Sequence, residues 1–241
     1  GKQSALLALN AESQRDLINS AIEHAWHACR STPSSEGQQN IQKLEAKRMQ
    51  QILSQWLELE KQRPPFEVIE TEKRFKLSLP ENSARTFELK LTADRIDHDQ
   101  SGRQILLDYK TGAKQSHGKW LDERMEQPQL PLYAMAADLG ESDAVAFASV
   151  RSGNDMGFEG LSGDDTEIPG IAICDGKRGR PDDWQDVLKQ WRDNLNALAT
   201  EFADGRSDVS PRNSKACTYC SFEAICRIEE TGFIIQNEES E

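Results

Sequence analysis

Asp94-Arg95-Ile96-Asp97 is followed in the chain by Leu106-Leu107-Asp108-Tyr109-Lys110-Thr111-Gly112. Each stretch closes a strand-like segment, so hairpin pairing of the two segments would bring Asp94, Asp108 and Lys110 together at the strand ends. Two carboxylates offer hard oxygen ligands to Mg²⁺ or Mn²⁺, with substrate phosphate and water completing an octahedron. The backbone carbonyl of Tyr109 would add a further oxygen. Lys110 stands two residues after Asp108, so on a strand the two side chains share one face. An ammonium there orients or helps to deprotonate an attacking water and stabilises charge building on the phosphorane. The chemistry is metal-dependent phosphodiester hydrolysis.

Asp-x-Lys by itself is common and usually marks a solvated strand edge. Here Asp108 follows the continuous apolar run Ile105-Leu106-Leu107, and a buried strand that ends abruptly in charges opens into a cleft. A second constellation is Gln127-Pro128-Gln129-Leu130-Pro131-Leu132-Tyr133. Gln129 and Tyr133, spaced i, i+4, share a helix face and present polar tips able to contact phosphates or brace Lys110. Taken alone it reads as a capped helix start with Tyr133 half-buried. A third is Cys217-Thr218-Tyr219-Cys220 with Cys226 beyond, a metal-type spacing that needs a fourth ligand. Cys29 and Cys174 are weak substitutes, the first on an apolar helical stripe that reads as buried core. Lys114, His117 and Lys119, with Lys177, Arg178 and Arg180, read equally as phosphate contacts or solvated loops. Trp120 and Arg124 are candidates for the cleft wall.

The elements that must position these groups follow from periodicity. Residues 11–30 read as an amphipathic helix, with Leu17, Ile18, Ala21, Ile22, Ala25, Trp26 and Cys29 at the 3.6 period and His24 and His27 off the stripe. A long helix over about 38–62 carries Ile41, Leu44, Ile52, Leu53, Trp56 and Leu57 on its apolar face and stops at Pro64-Pro65. Residues 66–72, 75–79 and 87–94 alternate as strands, and 97–102 read as a turn. Ile105-Leu106-Leu107 is a central strand. A helix opens at Pro128 and runs to about Leu139. Residues 144–150 read as a strand, 153–163 as a Gly/Asp/Ser-rich loop, 167–174 as a short strand and 184–204 as the clearest helix. The order predicts an α/β fold, a mixed central sheet flanked by helices. The expected division is a helical region over 1–62, a sheet-bearing core over 63–204, a cysteine-rich segment over 205–228 and a disordered acidic tail over 229–241.

A net charge of −12 argues mildly against a nonspecific nucleic-acid binder, which needs phosphate-neutralising cations. Charge is a global sum, however, and a site is local. No apolar run is long enough to span a membrane, no signal peptide opens the chain, and five cysteines with three crowded near one end do not form a secreted disulfide framework. A cytoplasmic protein is expected. The leading Gly1, without Met, points to a trimmed piece of a longer protein.

Asp94-Arg-Ile-Asp, Leu-Leu-Asp108-Tyr-Lys110-Thr-Gly and Gln129-x-x-x-Tyr133 in that order resemble the PD-(D/E)xK nuclease superfamily, in particular its RecB/AddB-type nuclease domains. The resemblance covers roughly residues 40–228. Pro-Gln-Leu-Pro-Leu-Tyr and Cys-Thr-Tyr-Cys look like C-terminal domains of bacterial RecB-family repair proteins that carry a degenerate helicase-like region upstream. The resemblance implies a restriction-endonuclease-like fold and DNA as substrate, single strands or ends, in repair or recombination. It implies Asp94 and Asp108 as metal ligands, Lys110 as catalytic, and Gln129 with Tyr133 as the auxiliary motif. It also implies a [4Fe–4S] cluster on Cys217, Cys220 and Cys226, its fourth cysteine lying upstream in the longer protein. The branch's metal-binding His near the domain start has no counterpart here, and Ala93 stands where Gly is common. A catalytically weak or silent domain that binds DNA or a helicase partner is the alternative, and a zinc- or cluster-stabilised interaction module is a second.

Overall fold

Ile105, Leu106 and Leu107 are almost wholly out of solvent, and they form the middle of β3 (Gln104–Lys110) at the centre of a six-stranded sheet. The computed structural model describes residues 1–29, 35–112, 116–177, 180–211, 214–218 and 220–228. The sheet runs in chain order: β1 (Phe66–Leu79), β2 (Phe87–Asp99), β3, β4 (Ala144–Ser149), β5 (Gly157–Ser162) and β6 (Ile171–Ile173). β1, β2 and β3 form an antiparallel meander, β3 and β4 are parallel, β4 and β5 antiparallel, and β5 and β6 parallel. Between β3 and β4 the chain crosses over through a 3₁₀ turn (His117–Trp120) and α4 (Gln129–Ala137). This is the expected mixed α/β sheet.

Both faces of the central strands are covered, which explains their continuous apolar runs. Leu106, Val145, Phe147 and Leu161 pack under Trp120, Leu130 and Tyr133 and under Trp184 and Trp191 of α5 (Trp184–Ala203). Their strand neighbours Ile105, Leu107, Ala144, Ala146 and Ala148 point the other way, onto Trp56 of α3 (Glu36–Lys61). The helices start on side-chain caps: Asn10 accepts from the Ser13 amide before α2 (Ala11–Ala28), Ser35 from Gln38 before α3, and Asp183 from Gln185 and Asp186 before α5. The C-terminus of α3 is met by α1 (Gln3–Leu7), whose buried Gln3 donates Nε2–H bonds to the carbonyls of Arg63 at 2.6 Å and Glu60 at 3.2 Å. No helix among the described residues is long and apolar enough to cross a membrane.

Four expectations need correction. Cys29 is exposed at the C-cap of α2, because only Gln14, Ile18 and Ile22 of that helix are buried. The buried part of α3 is likewise short: Ile52 and Trp56 reach the core, whereas Ile41 and Leu44 are 63% and 67% exposed. The Gly-rich stretch 153–163 contains β5, and Gly160 is there for contact, since a Cβ at that position would run into the Val145 carbonyl. Finally, β2 does not end at Asp94 but continues through Asp97 to Asp99, and the turn falls at Gln100–Arg103. The acidic tail 229–241 lies outside the described residues.

Candidate active site

Pairing between β2 and β3 runs from His98↔Gln104 to Arg95↔Leu107 and stops there. Beyond that point β3 stays paired only to β4. At the fork the Asp94 carboxylate replaces the missing strand partner: its Oδ2 accepts from the Tyr109 amide at 2.8 Å. Ala93 and Ile96 both enter the same core cluster although they are three residues apart, so the in–out alternation of β2 slips by one residue around Asp94. The neighbouring strand is irregular at the same level. Glu72 has φ 51° inside β1, a left-handed conformation uncommon for a non-glycine residue, and it stands between the pairs Thr71↔Arg95 and Lys73↔Ala93, opposite Asp94.

Asp108 is 1% exposed. Its Oδ2 forms a short ion pair with Lys110 Nζ at 2.5 Å. Burial pushes the Asp108 carboxyl upward; Lys110 pulls it down, and the charge of Asp94 pushes it up again. Lys110 donates to Gln129 Oε1 at 2.7 Å, and Gln129 donates Nε2–H to the Tyr133 hydroxyl at 2.8 Å. Because lysine can only donate, this order fixes the orientation of the Gln129 amide. Lys110 Nζ also sits 5.4 Å from the Phe147 ring centroid, within cation–π range. Burial raises the Tyr133 hydroxyl, Gln129 lowers it, and Asp108, Asp94 and Glu72 raise it further. Tyr133 therefore keeps its proton at neutral pH and can donate it. Asp94, Asp108, Lys110, Gln129 and Tyr133, chosen for their spacing, thus converge in one place.

The donor set suits a hard divalent cation. It has two carboxylates whose charges act on each other, one of them buried, and positive charge relieves their mutual repulsion. Protein ligands alone do not complete such a site: among the described residues no three His, Cys, Asp or Glu side chains converge to hold a metal. The same finding bears on Cys217, Cys220 and Cys226, which are free thiols, and the iron–sulfur expectation has no support in the structure.

Other expectations are redirected. Trp120 is not a cleft wall; it is fully buried, with rings of Phe147 and Trp191 against it at 5.1 and 6.0 Å. Arg124 pairs with Glu201 of α5. Lys177 and Arg180 both close onto Asp175. Lys114, Arg178 and the side chains of His117 and Lys119 lie outside what is described.

Behind β3 lies a feature that residue spacing does not reveal. Glu60, Arg63, Arg95 and Asp97 are each at most 8% exposed and form one ion cluster. Arg63 bridges Glu60 at 2.7 Å and Asp97 at 2.9 Å. Arg95 takes Asp97 through two nitrogens at 2.6 and 2.8 Å, and its Nη1 donates both to Glu60 at 2.9 Å and to the Tyr109 hydroxyl at 2.9 Å. The available signal was the Arg-Ile-Asp alternation, which puts Arg95 and Asp97 on one strand face opposite Ile96.

The crystal structure of SSO0001 matches at 18% identity with a TM-score of 0.33, over 66% of this chain and 60% of that one. No curated protein matches. The family profile of the PD-(D/E)XK nuclease superfamily matches residues 3–227, a span that contains the fork and every residue around it. The chain belongs to the PD-(D/E)XK nuclease superfamily.

Proposed function

We propose that the chain is a metal-dependent DNA nuclease domain of the RecB/AddB type, acting on single strands or ends in repair or recombination. The observation that carries this reading is the continuous run from Asp108 through Lys110 and Gln129 to Tyr133, with Asp94 held beside it at the strand fork. Asp94, Asp108 and the Tyr109 carbonyl would hold Mg²⁺ or Mn²⁺, which would supply Lewis-acid polarisation of the phosphate and a more acidic water. Lys110 orients the attacking water and stabilises the extra charge on the phosphorane. Gln129 keeps the ammonium aimed at the cleft, and Tyr133 presents its proton to a phosphate oxygen. Residues 63–204 supply the nuclease core in this reading, and residues 1–62 its helical support.

A second reading rests on the branch's metal-binding His, which has no counterpart in this sequence: the domain is then catalytically weak or silent and binds DNA or a helicase-like region of the same polypeptide. Cleavage of end-labelled single- and double-stranded DNA in Mg²⁺ or Mn²⁺, comparing wild type with Asp108→Ala, separates the two. Metal-dependent cleavage that disappears in the variant supports the nuclease. Absence of cleavage by both, repeated in an N-terminally extended chain, supports the binding domain.

A further inference from the structure

We infer that Arg95 and Tyr109 are positioning residues for the proposed hydrolysis, through the buried Glu60–Arg63–Arg95–Asp97 cluster that grips the Tyr109 hydroxyl and so fixes the part of β3 bearing Asp108 and Lys110. This inference rests on the nuclease reading of the site. Tyr109 lies between Asp108 and Lys110, and strand alternation sends it to the α3 face while they point toward α4. It is held from three directions. Its amide donates to Asp94 at 2.8 Å, its hydroxyl accepts from Arg95 at 2.9 Å, and its ring meets Trp56 edge-on with centroids 6.0 Å apart. A rotation of Tyr109 about the strand axis moves both reactive side chains with it.

The composition of the cluster supports positioning over stability. It is charge-balanced, with two arginines and two carboxylates, and almost wholly desolvated. Buried ion pairs are often no more stabilising than apolar side chains of the same volume. What they supply is direction, because the planar guanidinium fixes where each partner must lie. Here Arg95 adjoins Asp94 on β2 and reaches the hydroxyl on β3, so one guanidinium ties together the two strands whose carboxylates face the cation.

Tyr109→Phe removes only the hydroxyl; Arg95 keeps Glu60 and Asp97. We expect unchanged Tm and KM for DNA, with kcat and Mn²⁺ affinity, read by electron paramagnetic resonance titration, each reduced about 10-fold, at the lower end of the effect of removing a group that orients metal ligands. Ile52→Ala is the control: it removes a buried apolar side chain from the same helix without touching Tyr109, and should lower Tm while leaving Mn²⁺ affinity as in wild type. Wild-type kcat and affinity in Tyr109→Phe, or equal losses of affinity in both variants, overturn the inference. If wild type binds Mn²⁺ but does not cleave, the nuclease reading fails, and the affinity of Tyr109→Phe still decides whether the hydroxyl positions the ligands: weakened binding sustains it, wild-type binding overturns it. If wild type binds no Mn²⁺, both fall.

Discussion

Asp108 is a carboxylate that the fold holds at a cost. Its pKa is raised, first by burial and then by Asp94, against the pull of Lys110. The folded state therefore binds the proton more tightly than the unfolded chain does. Stability from this group is present at low pH and is lost as pH rises through the raised pKa. Above the raised pKa, the Asp108 carboxylate of the metal-free protein is a net burden. Asp108→Asn should accordingly raise the metal-free Tm at pH 7, by about 2–4 °C for each kcal/mol relieved. The gain should vanish in acid, where wild-type Asp108 is protonated. Thermal melts at several pH values check both arms, and a lower Tm at pH 7 would refute the sign. Lys110 plays a different part. Lys110→Ala should cut kcat by about 10²–10⁴-fold, while Mn²⁺ still binds, because the lysine is not a ligand. Single-turnover cleavage and a metal titration on one preparation separate the two effects.

At the scale of elements, the site is a fork between β2 and β3, covered by α4 and backed by α3. The front was legible from sequence. The Ile105-Leu106-Leu107 run marks a strand buried on both faces, and Gln129 and Tyr133 lie one helical turn apart on a shared face; their place beside Lys110 comes from the resemblance, since alone they read as a capped helix start. The backing was not. Asp97 reads as the start of a turn because charged residues ordinarily seek water, and nothing local singles out Arg95. Their partners Glu60 and Arg63 come from the end of a helix distant in sequence, and no local periodicity reports such a pairing. β5 was hidden for a related reason: its glycines look like loop residues until β4 is laid against them. Both features make predictions. Arg95→Met strands Glu60 and Asp97 in the interior with Arg63 alone, and should destabilise by about 3–5 kcal/mol in urea unfolding. Gly160→Ala drives a methyl into the Val145 carbonyl and should cost about 1–3 kcal/mol. A neutral result for Arg95→Met would mean that the cluster is not charge-coupled.

For the whole molecule, the dominant fact is a net charge of −12, which at first sight opposes a polyanionic substrate. In the proposed function the superfamily membership and the charge are reconciled locally, since Lys110 and a divalent cation would meet the phosphate at the fork. Two effects of added salt should then be separable. Excess negative charge repels itself in the compact state, and screening relieves it, so Tm should climb with NaCl and level off near physiological ionic strength. Mg²⁺ at matched ionic strength should raise Tm further by binding the native state at the fork. That increment follows RT ln(1 + [L]/Kd), roughly 2.7 kcal/mol at a hundred times Kd. Asp108→Asn should keep the NaCl response and lose the extra Mg²⁺ response. If Mg²⁺ and NaCl at equal ionic strength stabilise wild type alike, the cation has no specific place at Asp94 and Asp108, and the acidic surface alone accounts for its effect.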